Sequence, residues 1–163
     1  MPKLKSCRQS GKTVGMSMNK IAEGKLKSFS ISFGLRSGYD EQSKESDLEI
    51  AANAILDWMA SRIEAGNPYL TGHLVEAKTL YAWKDSEGVV RKGNEPGGVF
   101  MGHVNVLYNA KEKEKSVVKQ LNDLASVLAE ELDQTRIYVE YRKRAWILQR
   151  QGKSVPNEGT GEI

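Results

Sequence analysis

One cysteine, Cys7, stands in 163 residues, so the chain can close no intrachain disulfide and build no all-thiolate zinc site. It has two histidines, His73 and His103, and neither sits at a spacing that zinc ligands use. No metal and no cofactor are therefore expected. No apolar run approaches the ~18 residues of a spanning helix, and no apolar signal segment follows Met1. These absences lead to the expectation of a soluble, cytoplasmic protein with no membrane partner. Aromatic residues make up 7 % of the chain, so any ring outside the core is worth locating.

The net charge is only +3, and it is unevenly placed. Residues 1–27 hold seven basic side chains against Glu23 alone, while the rest of the chain has 17 basic and 20 acidic residues. An attraction to phosphate that depends on net charge would reside mainly in that segment, which reads as a basic, flexible arm. Ser10-Gly-Lys-Thr13 echoes the end of a phosphate-binding loop. The earlier glycine that such a loop needs is replaced by Ser6, and no strand precedes it, so a nucleotide loop is not expected.

What the chain does have is alternation and helical periodicity in a regular order. Phe29, Ile31, Phe33 and Leu35 fall on one side of a first strand. Ser46-Asp-Leu-Glu49 has the form of a capping box. It opens a helix whose stripe is Leu48, Ala52, Ile55, Met59 and Ile63, ended by Gly66. Two alternating segments follow, Leu74–Trp83 and Val99–Tyr108, with a connection from Lys84 to Gly98 that is dense in turn formers. Asn109-Ala-Lys-Glu112 starts a second helix, striped by Val117, Leu121, Leu124, Leu128 and Leu132. Thr135–Tyr141 alternates again, and Ala145–Leu148 suits a short extra strand.

Two strand–helix–strand units predict an α+β fold, a ferredoxin-like β-α-β-β-α-β sandwich with an antiparallel sheet and two helices on one face. The expected organisation is an arm over residues 1–27, one α+β domain over 28–148 and a polar tail over 149–163. Taking the more apolar set of each strand as core places Val75, Ala77, Tyr81 and Trp83 inside. That choice leaves Ser30, Ser32, Glu76, Lys78, Met101, His103, Asn105, Arg136, Tyr138, Glu140 and Arg142 on the open face.

Three functions fit such a face. The favoured one is a non-catalytic module for an anionic, nucleotide-like ligand or a short single-stranded nucleic acid. Arginine forks grip phosphate and rings stack on bases, so Arg136, Tyr138 and Arg142 are the candidate ligand residues. Arg91, Lys92, Gly97 and Gly98 join them, because a glycine-rich loop lets backbone N–H groups approach an anion. A second reading is a homo-oligomeric interaction protein, such as a homodimer joined through the open face or an edge strand. The third is a small enzyme in which His103 acts as acid or base beside Glu76. An RNA-recognition sheet is disfavoured, because the expected open face has Ser30, Ser32, Met101 and His103 where stacking rings would stand.

Overall fold

The computed structural model describes residues 18–37 and 43–151. Most of the expected arm, with Cys7 and Ser10–Thr13, lies outside the described residues, as do residues 152–163 of the expected tail. The elements are β1 (Ser28–Gly34), α1 (Leu48–Glu64), β2 (His73–Lys84), β3 (Val90–His103), α2 (Glu114–Glu131), β4 (Arg136–Tyr141) and β5 (Arg144–Gln149). All neighbouring strands are antiparallel, in the order β2-β3-β1-β4-β5. This is the ferredoxin-like sandwich with one strand added at the β4 edge. Arg142 makes the β4–β5 turn with a left-handed φ of 57°.

The core lies between one sheet face and the two helices. Phe29, Ile31 and Phe33 of β1, Phe100 of β3, and Ile137, Val139 and Tyr141 of β4 are buried against Val117, Leu121, Leu124 and Leu128 of α2. Each fully buried leucine of that stripe contributes roughly 1.5–3 kcal/mol by leaving water. The α1 stripe is rotated from the expected one: Ala51, Ala54, Ile55 and Trp58 are buried, whereas Ile63 is exposed. The indole of Trp58 explains the rotation, since its Nε1 donates to Asp123 Oδ2 of α2 at 2.9 Å.

The helix starts also differ from the sequence reading. Asp47, not Ser46, caps α1, accepting from the Glu49 N–H at 3.1 Å, while the Ser46 N–H is taken by the Leu35 carbonyl. Helix α2 begins at Glu114, after Lys113, rather than at Asn109.

The hairpin holds the largest correction. The expected long connection is a short turn at Asp85–Val89, where Asp85 Oδ1 accepts from the N–H groups of Glu87 and Val89 and Gly88 adopts φ +78°. Strand β3 therefore begins at Val90 and stops at His103, and Gly93, Gly97 and Gly98 are strand residues. Pairing runs unbroken from His73↔Met101 to Lys84↔Val90. Leu74 is fixed opposite the buried Phe100. Residues Val75, Ala77, Tyr81 and Trp83 consequently face away from the helices, and Glu76 and Lys78 take the helix side. A one-residue shift in register reverses every side chain, and an edge strand with apolar residues on both faces does not announce which face is inward.

Candidate functional site

The open face can be read row by row across the sheet. Ser32 of β1 pairs with Val99 of β3 and with Tyr138 of β4, Val99 pairs with Val75 of β2, and Tyr138 with Ile147 of β5. One step along, Gly34 of β1 lies opposite Gly97 of β3, which pairs with Ala77. The two central strands therefore carry no side chain at this level, where the sheet offers bare backbone. A Cβ on Gly97 would come within 2.5 Å of the Phe33 carbonyl oxygen. One on Gly34 would collide with the Glu95 carboxylate and stand 2.9 Å from Gln134 Oε1.

Gly34, with Gly98 of β3, lines a cavity of about 420 Å³, of the size that small ligands occupy. Ser32, Arg36, Thr79, Glu95, Gln134, Arg136 and Tyr138 are among the residues that line it. The residues lining it include no histidine, lysine or cysteine. Glu95 is partly buried, and that burial pushes its carboxyl above the ordinary glutamate range, with the Arg36 charge opposing the shift. Gln134 is itself buried, and its Nε2 donates to the carbonyls of Arg36 and Leu132 at 3.0 and 3.2 Å. Arg136 is steered by Gln149, whose Oε1 accepts from its Nε at 3.2 Å. A carboxylate, a guanidinium and a phenol ring thus line one cavity. That set suits a ligand carrying a cation and a carboxylate close together.

A larger groove of about 510 Å³ lies between α1 and α2. Its central polar groups already satisfy one another, because Asp123 Oδ2 accepts from both Trp58 and Arg62 and Arg62 also donates to the Pro68 carbonyl. The cavity on the sheet is the better candidate.

Of the residues singled out in the sequence, Arg136, Tyr138 and Gly98 line this cavity. Gly97 is a buried strand residue opposite Gly34, not a loop amide donor. Gly98 points inward, toward the Phe33 ring and Leu48. Arg142 stands in the turn after β4 and pairs with Glu114 at 3.1 Å, away from the cavity. Arg91 donates to Asp85 at 2.8 Å at the hairpin tip, which holds the Asp85 carboxyl below its usual range. Lys92 points to the opposite face from Gly97, since it lies five residues before it. His103 is the exposed last residue of β3, on the open face, while Glu76 takes the helix side of β2. The expected His103–Glu76 pair does not form.

Sequence reading missed Glu95, Gly34, Thr79 and Gln134. Glu95 was hidden by its assignment to a loop. The available signal was glycine at the end of β1 and within β3, Gly34 and Gly97, both on the side away from the core.

No protein-family model matches the sequence, and no curated protein sequence does. Solved structures share its fold, two SAM lyases among them. A phage SAM lyase in complex with S-methyl-5′-thioadenosine aligns over 85 % of this chain and 100 % of its own, with a TM-score of 0.56 and 17 % identity. A phage SAM lyase in its apo state aligns over the same shares, with a TM-score of 0.53 and 13 % identity. Both neighbours are enzymes, which overturns the expectation of a non-catalytic binding module. Among the described residues no helix is long and apolar enough to cross a membrane.

Proposed function

We propose that this chain binds S-adenosylmethionine in the cavity lined by Gly34, Glu95 and Arg136 and cleaves it, releasing S-methyl-5′-thioadenosine. The observation that carries this reading is the partly buried Glu95 carboxylate in one cavity with Arg136 and Tyr138, on a fold shared with two SAM lyases. The substrate carries a sulfonium cation and a carboxylate. Glu95 faces the cation, and Arg136, which lines the same cavity, takes the carboxylate.

The reaction then needs little from the protein. The bond between sulfur and the amino-acid chain breaks, and sulfur keeps the electron pair as a neutral thioether. The carbon released from sulfur is closed upon by the substrate's own carboxylate oxygen, giving a lactone with no proton or water consumed. Opposite charges vanish in this step, so surroundings drier than water favour it. Glu95 binds and orients the substrate, and its attraction weakens but persists in the transition state, where the cation is fading. Tyr138 walls the cavity and bars water from one side.

Calorimetry with S-adenosylmethionine tests the placement. Arg136→Ala should weaken binding by about 1.5–3 kcal/mol, the range of a hydrogen bond to a charged group. Arg142→Ala, outside the cavity, should leave it unchanged. Equal losses would move the site to the other end of the sheet.

Self-association of two copies across the open face is the further arrangement we propose for this chain. Val75, Met101, Tyr138 and Ile147 expose apolar surface on that face. Light scattering that finds only monomers at working concentration would dispose of it.

A further inference from the structure

The β2–β3 ribbon beyond the sheet carries two large rings that the fold does not use. Because β1 ends at Gly34, opposite Gly97, and the Leu35 N–H that follows reaches only the Pro96 carbonyl, the segment of β3 from Val90 to Glu95 pairs with β2 alone. On the open face of this ribbon stand Thr79, Tyr81 and Trp83 from β2, opposite Glu95, Gly93 and Arg91. Tyr81 and Trp83 are 46 % and 47 % exposed, with ring centroids 5.6 Å apart and planes inclined by 34°.

Gly93 explains how the Tyr81 ring is held. A Cβ there would come within 2.7 Å of that ring, so glycine lets the ring lie against the ribbon backbone. An aromatic ring laid over a cross-strand glycine is a fixed, amphipathic plate. Its position relative to the cavity is set by register. Thr79 and Glu95 face each other at the cavity wall, and Tyr81 is the next open-face residue along β2. Two residues of strand span about 6.8 Å. A nucleoside bridges such a gap between its base and its 5′ substituent.

We infer that Tyr81, braced by Trp83, is the stacking platform for the purine base of a ligand whose 5′ sulfur lies at Glu95. This rests on reading the cavity as an adenosyl-sulfonium site, and it makes the ribbon the part that recognises the nucleoside. A ring stacks on any base without reading its edge. The platform therefore supplies affinity for the nucleoside half, while Glu95 and Arg136 recognise the sulfonium amino-acid half.

The test is calorimetric titration of the full chain with two probes. One is S-methyl-5′-thioadenosine, which has the base and no cation. The other is S-methylmethionine, which has the sulfonium and no base. Tyr81→Ala should weaken the first by roughly 5- to 150-fold, the range of one lost stacking contact, and leave the second unchanged. Tyr81→Phe should restore the first, and Trp83→Ala should weaken it less than Tyr81→Ala does. Glu95→Gln should weaken S-methylmethionine and spare the thioadenosine. If Tyr81→Ala and Trp83→Ala both bind the thioadenosine as wild type does, the platform is wrong, and the cavity reading still stands on the Glu95 result. If Glu95→Gln changes nothing while Tyr81→Ala does, the platform stands and the sulfonium reading falls. A wild-type chain that binds neither probe overturns both.

Discussion

Gly34 and Gly97 face each other across the two central strands, and the methyl group that alanine would add meets a different kind of obstacle at each. At Gly34 the obstacles are the ends of the Glu95 and Gln134 side chains, which can swing aside. At Gly97 the obstacle is the Phe33 carbonyl, part of the β1 backbone. Gly97→Ala should therefore destabilise the fold by about 1–3 kcal/mol, the usual toll of forced overpacking. Gly34→Ala should keep most of the stability and displace Glu95, weakening ligand binding. Denaturant melts and titrations of the two variants separate these outcomes, and equal stability losses would contradict the assignment.

Glu95 gives a pH dependence whose sign follows from its environment. Burial raises its pKa above the ordinary glutamate range, so the carboxylate forms later than usual as pH rises. A sulfonium is attracted to the charged form only. Affinity for S-methylmethionine should then grow as pH passes upward through the Glu95 pKa, and Glu95→Gln should flatten the rise. By linkage the bound cation lowers that pKa in turn. A flat profile in the wild type would place the cation elsewhere.

Tyr141 is buried, and its hydroxyl makes no hydrogen bond among the described residues. Burial, together with the nearby Glu114 charge, pushes its pKa up. Tyr141→Phe should leave stability unchanged or raise it by about 1 kcal/mol, because an unsatisfied buried donor costs that much or more. A loss of similar size in thermal melting would show that the hydroxyl has a partner after all.

The second helix offers the plainest check on the core. Leu124 is fully buried, and Lys119 on the same helix is exposed. Leu124→Ala should cost about 2–5 kcal/mol and Lys119→Ala less than about 0.5. Similar costs would mean that the helix packs on another face.

These residues also show what the sequence could reveal. The α2 stripe was legible because five apolar residues recur at helical spacing with charges elsewhere, and β1 and β4 were legible because each has one apolar face. Strand β2 was not, since Leu74, Val75, Leu80 and Tyr81 put apolar groups on both faces, and only pairing with Phe100 decides between them. The site was half legible. Arg136 and Tyr138 stood out as charge and ring on an alternating strand, whereas Glu95 lay in a glycine-rich stretch that reads as a loop. Its neighbours Pro96, Gly97 and Gly98 are strand residues, and long pairing with β2 carries them past their weak local preference.

The central claim is that this chain cleaves S-adenosylmethionine at Glu95. Its most direct test is to incubate the full chain with S-adenosylmethionine and follow S-methyl-5′-thioadenosine by chromatography against a protein-free control. The account predicts thioadenosine formed faster than in the control by the wild type, and a marked fall in that rate at limiting substrate for Glu95→Gln. Substrate that breaks down no faster than in the control, or a Glu95→Gln variant as active as the wild type, would contradict it.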